Sequence, residues 1–240
     1  MLDTLYHIVM VPMVYLAVAW CIFGVLYRVA SILRAPAHPH TLALFPRSAG
    51  GSLRALVEAL TWPTILRKAP VFWGMLVAFH LGLVVLVLGH IDLFPQVNLV
   101  PAGSRHMVGW GLGGLLFTLP LLYFMNRRVK EPVRLISVPA DYYLLLLLLF
   151  IALTGDSISW TNSWNPPIGF VITKAELATH YFDRLAHLSF ASPIEGMLVN
   201  SHTVVVALHV LAANLFLMIL PFSKVMHTFL AVPLNRLRRA

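Results

Sequence analysis

Long apolar runs alternate along this chain with shorter stretches that gather its charges, prolines and glycines. The runs cover about residues 5–29, 69–91, 107–125, 139–158 and 197–221. Each is long enough, as a helix, to cross a hydrocarbon core of about 30 Å. Between the first two runs, residues 52–66 place Leu53, Leu56, Val57 and Leu60 at i, i+3, i+4 and i+7. That spacing predicts an amphipathic segment lying at the membrane interface, or a partner-binding helix. The longest polar stretch, residues 155–201, holds Trp160, Trp164, Pro166 and Pro167, then a short amphipathic helix expected over 174–188. The pattern predicts an all-α membrane protein with five transmembrane helices in a single domain, residues 1–240.

Composition supports that class. The 240 residues are 59 % hydrophobic and 11 % charged, with a mean hydropathy of +0.83. A soluble domain carries about 25 % charged residues. The net charge of +8 does not indicate nucleic acid, because the basic residues flank apolar runs and no aromatic-interleaved basic patch occurs. Their distribution predicts orientation instead. Positions 28, 34, 47, 54, 67, 68, 127, 128, 130, 134, 224, 236, 238 and 239 fall on one side of a five-span chain, leaving Arg105, Lys174 and Arg184 on the other. By the positive-inside rule the N-terminus lies outside, in the periplasm, and the C-terminus in the cytoplasm. This suits a multi-pass protein of a bacterial cytoplasmic membrane. The first run has only Asp3 before it and no small-residue cleavage site after it, so it reads as a retained helix. The lone cysteine, Cys21, excludes disulfides, Cys-x-x-Cys-His haem attachment and an iron–sulfur cluster held by this chain alone.

Ionisable groups inside hydrocarbon are costly and mark candidate function. The second run contains His80 and His90, ten residues and about 15 Å apart along a helix. Ligands for one ion sit three or four residues apart, so the pair reads as one ligand for each of two stacked sites. The plain alternative is packing glue between helices. The fifth run offers His202 and His209, with His227 beyond Pro221. His209 and His227 are eighteen residues apart, five turns of a continuous helix, and would share one face. Runs two and five are antiparallel, so His90 and His209 share the outer leaflet and His80 and His227 the inner side. Two bis-histidine haem sites follow, of a kind that leaves iron no open position and suits electron transfer. Eighteen residues rise about 27 Å against about 15 Å for ten, so tilt and a kink at Pro221 must absorb the difference. His202 is the competing outer ligand. His7, His38, His40, His180 and His187 read as solvated.

These residues resemble the gamma subunit of respiratory nitrate reductase, a five-helix di-haem cytochrome b, over most of the chain. That family pairs two histidines ten apart on its second helix with two eighteen apart on its fifth. Its signature after helix five is similar to Pro-Phe-Ser-Arg-x-x-His, and this chain reads Pro221-Phe222-Ser223-Lys224-Val225-Met226-His227. Gly89-His90 and Ala140-Asp141 are similar as well. The resemblance implies two haems b, with His80 and His227 on the inner iron and His90 and His209 on the outer one. Ile136 to Tyr143 and Leu88 to His90 resemble the DsrM branch, the cytochrome b of sulfur-metabolism (DsrMK-type) membrane complexes.

The implied function is electron transfer between the quinone pool, menaquinone or ubiquinone, and a cytoplasmic iron–sulfur subunit of the heterodisulfide-reductase-like kind, with further membrane and periplasmic subunits as partners. A nitrate reductase gamma subunit is the alternative within the class. A non-redox membrane anchor or transporter using histidines for protons is the alternative outside it. The family carries a lysine near its outer quinol site that has no clear match here; Arg105 is the nearest basic residue. Arg105 could hold developing negative charge on a quinol oxygen and His106 could exchange its proton, with Gly109, Gly111 and Gly113 leaving room for a flat ring. The plain reading, that both are ordinary loop residues, stands beside it.

Overall fold

A computed structural model describes residues 2–34, 57–58, 60–101, 104–109, 111–164, 181–191, 201–227 and 229–230. The described residues form helices α1 (Leu2–Met10), α2 (Pro12–Leu33), α3 (Pro63–Lys68), α4 (Pro70–Ile91), α5 (Arg105–Val108), α6 (Leu112–Arg128), α7 (Pro139–Trp164), α8 (Asp183–Ala186) and α9 (Ser201–Ile219), with short 3-10 turns between and after some of them. Among the described residues, four stretches are long and apolar enough to cross a membrane: Asp3–Leu33, Pro70–Ile91, Pro139–Thr161 and Val204–Phe222. Only 6 % of the most apolar window of α4 is buried within the chain, which is how a helix facing lipid is built. The protein is multi-pass and helical.

The third expected span departs from expectation. Residues 107–125 do not form one helix: α5 stops at Gly109, α6 starts after Gly111, and both glycines have ψ near −124°. The Gly114 N–H reaches back to the Gly109 carbonyl at 2.6 Å and bridges the break. The remaining helix has seventeen residues and an internal Pro120, so this stretch is not among the four long apolar ones.

Smaller departures have local causes. Residues 52–56 and 59 of the expected interfacial segment lie outside the described residues. What is described breaks at Trp62, which is left-handed (φ 45°), and Pro63 after it opens α3. Of the expected helix over 174–188, residues 174–180 lie outside the described residues and α8 supplies four. Residues 197–200 of the fifth expected span are likewise outside. That span stops at Ile219, since Pro221 lacks the N–H a helix needs, and two 3-10 turns follow. His209 and His227 therefore do not lie on one continuous helix, and the five-turn phase argument for them fails.

The described chain separates into two compact units. The first comprises Met1–Leu16 and Met75–Phe216. One of its cores gathers Tyr6, Met10 and Val11 of the α1 end with Tyr181, Val206 and Ala207. Pro12 interrupts the helix ladder there, and the Val14 N–H bonds to Val11 instead of Met10. The Met10 carbonyl is taken by the buried Tyr181 hydroxyl at 2.8 Å, and the Val9 carbonyl by the Asn214 amide at 3.0 Å. A broken ladder in an apolar setting needs such partners. Burial, with Tyr15 nearby, raises the Tyr181 phenol above its ordinary range, so it remains a donor.

A second core packs Phe117 and Leu121 of α6 on Leu148 and Ala152 of α7, with Phe79, Leu83 and Leu86 of α4 against them. Gly82 lets α4 approach the α6 backbone: a Cβ there would lie 2.6 Å from the Phe117 nitrogen. The loop joining α6 to α7 is tied by Arg128, which pairs with the buried Asp141 at 2.9 Å and donates to Ser137. Asp141 also accepts the Val138 N–H, and the Tyr142 hydroxyl donates to the Arg128 carbonyl.

The second unit comprises Ala17–Gly74 and Leu217–Ala240. Where the helix ends before Pro221, the Met218 carbonyl accepts the Trp20 indole N–H at 3.2 Å. Gly24 sits against the Pro221 ring, where a Cβ would lie 2.7 Å away. Ser223 donates to the Leu220 carbonyl and accepts the Val225 N–H, capping the turn that leads to His227.

Candidate functional site

Helix α4 carries His90 in its last turn, and α9 carries His209 in its middle turns. The two imidazoles face each other with ring centroids 6.2 Å apart and planes 13° from parallel. His90 is exposed and His209 half-buried. Among the described side chains, the first unit brings these two of the histidines singled out from the sequence together.

Tautomers follow from the partners. A backbone carbonyl only accepts, so a ring nitrogen bonded to one carries the proton. The His90 Nδ1 donates to the Leu86 carbonyl at 2.7 Å, and the His209 Nδ1 to the Ile151 carbonyl at 3.1 Å. Nε2 is then the lone-pair nitrogen in both, the form that binds a metal. The same holds for His80, whose Nδ1 donates to the Leu76 carbonyl at 2.7 Å, and for His227, which donates to the Lys224 carbonyl at 2.9 Å.

The residues present can be tested against a haem iron. Two imidazoles holding one ion through Nε2 at about 2 Å each place their ring centroids about 6 Å apart. The observed spacing of His90 and His209 fits. Among the described residues no group of three or more His, Cys, Asp or Glu gathers as for a metal bound by side chains alone. Bis-histidine haem asks only two ligands of the protein.

His80 lies half-buried on α4 in the first unit, edge-on to Phe79 at 5.3 Å. His227 lies in the second unit, just past the 3-10 turn Lys224–Met226. Arg105 and His106 form the first turn of α5; their side chains lie outside the described residues, as does that of His202. In the direction a Cβ would take, Gly109 and Gly113 already meet protein. A Cβ at Gly109 would strike the Ser159 hydroxyl, and one at Gly113 would strike the Val108 carbonyl. Gly109 and Gly113 therefore serve close packing on the side where a Cβ would project.

Three residues of the site escaped the sequence reading. Thr154, Gly155 and Asp156 are consecutive on α7. The Thr154 hydroxyl lies 3.0 Å from the His209 Nδ1, and a Cβ at Gly155 would sit 3.0 Å from its Cε1. Asp156 turns to α6, where it accepts the Thr118 hydroxyl at 2.7 Å and occupies the space beside Gly114. The signal was a polar triplet interrupting an apolar run of α7.

Comparison with known proteins identifies the family. The profile of the family described as nitrate reductase gamma subunit matches residues 49–240. A curated relative, the Hdr-like menaquinol oxidoreductase cytochrome b-like subunit of Archaeoglobus profundus, is 26 % identical over 170 residues. That alignment covers 65 % of this chain and 46 % of the relative, so the chain spans about half the length of the protein it matches. The family match covers well over half of the sequence, and the chain belongs to the nitrate reductase gamma subunit family.

Proposed function

We propose that this chain is a di-haem cytochrome b subunit that moves electrons between membrane quinone and a cytoplasmic iron–sulfur partner. The single observation that carries the reading is the facing of His90 and His209, at iron-bridging separation and with both Nδ1–H groups committed elsewhere. These two hold the outer haem, and His80 and His227 the inner one. A haem iron so ligated supplies one-electron transfer without an open coordination position. The chain's own residues hold the imidazoles in the ligating tautomer and anchor the helices in lipid. Helix α6 makes a fifth crossing between the long apolar helices, the N-terminus faces the periplasm, and the basic loops face the cytoplasm of a bacterial cell.

The relative's name, which joins a menaquinol oxidoreductase to the Hdr-like class, supports a heterodisulfide-reductase-like, DsrMK-type partner and a role in sulfur metabolism. The family description supports a second reading, the gamma subunit of a nitrate reductase. Quinone reacts near the outer haem, with Arg105 and His106 at the start of α5 as its partners. The test is the protein purified from membranes with its native subunits. A reduced-minus-oxidised spectrum with b-type bands, reducible by a menaquinol analogue, is expected, and the co-purifying subunits separate the two readings. A preparation without b-type bands contradicts both and leaves a non-redox anchor.

A further inference from the structure

The two outer imidazoles are not held alike. The His90 Nδ1 donates within its own helix, to Leu86 four residues earlier. The His209 Nδ1 donates across to α7, and it meets two acceptors there: the Ile151 carbonyl at 3.1 Å and the Thr154 hydroxyl at 3.0 Å. The Thr154 hydroxyl has one proton. Its oxygen lies 2.7 Å from the Phe150 carbonyl and 3.1 Å from that of Ile151, and a carbonyl can only accept. The proton is thereby committed to the backbone, and a lone pair faces His209. Next to it, Gly155 leaves the ring against the α7 backbone, where a Cβ would lie 3.0, 3.5 and 3.9 Å from Cε1, Nδ1 and Nε2. One residue sets the ring's hydrogen bond and the next its plane.

We propose that Thr154 and Gly155 are positioning residues for the outer haem, with Thr154 lowering its midpoint potential through the His209 Nδ1–H bond and Gly155 holding the His209 plane near parallel to that of His90. This rests on the reading of His90 and His209 as axial ligands. An acceptor on the distal N–H of an imidazole makes it a stronger donor to iron and favours the oxidised metal. Loss of the hydroxyl leaves the Ile151 carbonyl alone in that role, so the potential rises while the ligand stays. Thr154 already satisfies its own proton within α7, so a valine of the same shape removes the acceptor without stranding a donor. Near-parallel imidazole planes give a rhombic low-spin ferric signal, and twisting one plane moves that signal.

The experiment is a redox titration, followed by optical and electron paramagnetic resonance spectra, of the haem-loaded protein in membranes. The outer haem is identified as the component that His209→Ala removes. Thr154→Val is expected to raise the outer haem's midpoint potential and leave the other haem's unchanged. Thr154→Ser, which keeps the hydroxyl, is expected to hold the original value. Gly155→Ala is expected to shift the outer haem's low-spin signal with haem content retained. An unchanged outer potential in Thr154→Val, or an equal rise in Thr154→Ser, overturns the role of Thr154. If the valine variant binds less haem, an original potential and haem content in the serine variant still supports it. An unmoved signal in Gly155→Ala overturns the role of Gly155. Failure of the ligand reading itself looks different: the wild-type protein then has no haem component that depends on His209.

Discussion

His209 and His227 are eighteen residues apart in sequence and live in different kinds of structure. His209 sits inside α9, in a helix whose neighbours α4 and α7 supply a facing imidazole and two acceptors. His227 follows two 3-10 turns past a proline, with its Nδ1 bonded to a carbonyl three residues back. The first position depends on helix packing. The second depends on where a helix is made to stop. Pro221 sets that stop, Gly24 makes room for its ring, Trp20 takes the Met218 carbonyl, and Ser223 caps the turn that follows. The Pro-Phe-Ser stretch that carries the family likeness is thus a device for ending a helix in front of a histidine.

Attacking the stop should separate the two positions most strongly. Gly24→Val places carbon 2.7 Å from the Pro221 ring, so the turn must shift. Haem analysis of purified protein is expected to show loss of the haem that depends on His227, with the one that depends on His209 kept. Equal loss of both would mean that the two positions are not independent. Pro221→Ala restores a backbone donor and permits α9 to continue. It should act in the same direction, to a lesser extent, because the Trp20 and Ser223 contacts remain.

A third change leaves both positions alone. Arg128→Met removes the cationic partner of the Asp141 carboxylate, whose side chain is 3 % exposed and which keeps the Val138 N–H. Removing the charged partner of a buried carboxylate that keeps a backbone donor costs about 1–3 kcal/mol. Thermal unfolding in detergent should show a lower midpoint, while the visible spectrum before unfolding stays as it was. Arg128 is therefore unsuitable as a probe of partner docking, although it belongs to the basic loop. The exposed Lys130 is the better one: Lys130→Glu should weaken co-purification of a cytoplasmic subunit by a small factor, without loss of stability.

The sequence made the long helices legible, because apolar runs such as 70–91 have no other stable form in lipid. Counting antiparallel spans also anticipated that the His90 and His209 rings lie close together. The breaks were harder to read. Gly109 and Gly111 look like small residues inside a span, and only the backbone reveals that the helix is interrupted there. The phase of His227 was misjudged because a five-turn count presumes that the helix runs on past Pro221. Thr154 stayed hidden for a different reason. A threonine in an apolar helix commonly bonds its own backbone, as this one does with Phe150, and nothing local announces that its lone pair serves another helix.

The central claim is that His90 and His209 share one iron, and a haem count in three variants tests it most directly. The protein is purified as His90→Ala, His209→Ala and the double variant, and b haem per chain is measured by pyridine haemochrome with low-temperature spectra. Each single variant is expected to lose the same spectral component, one haem of two, and the double variant to lose no more than either. Loss of different components in the two single variants, or of both haems only in the double variant, would contradict the pairing.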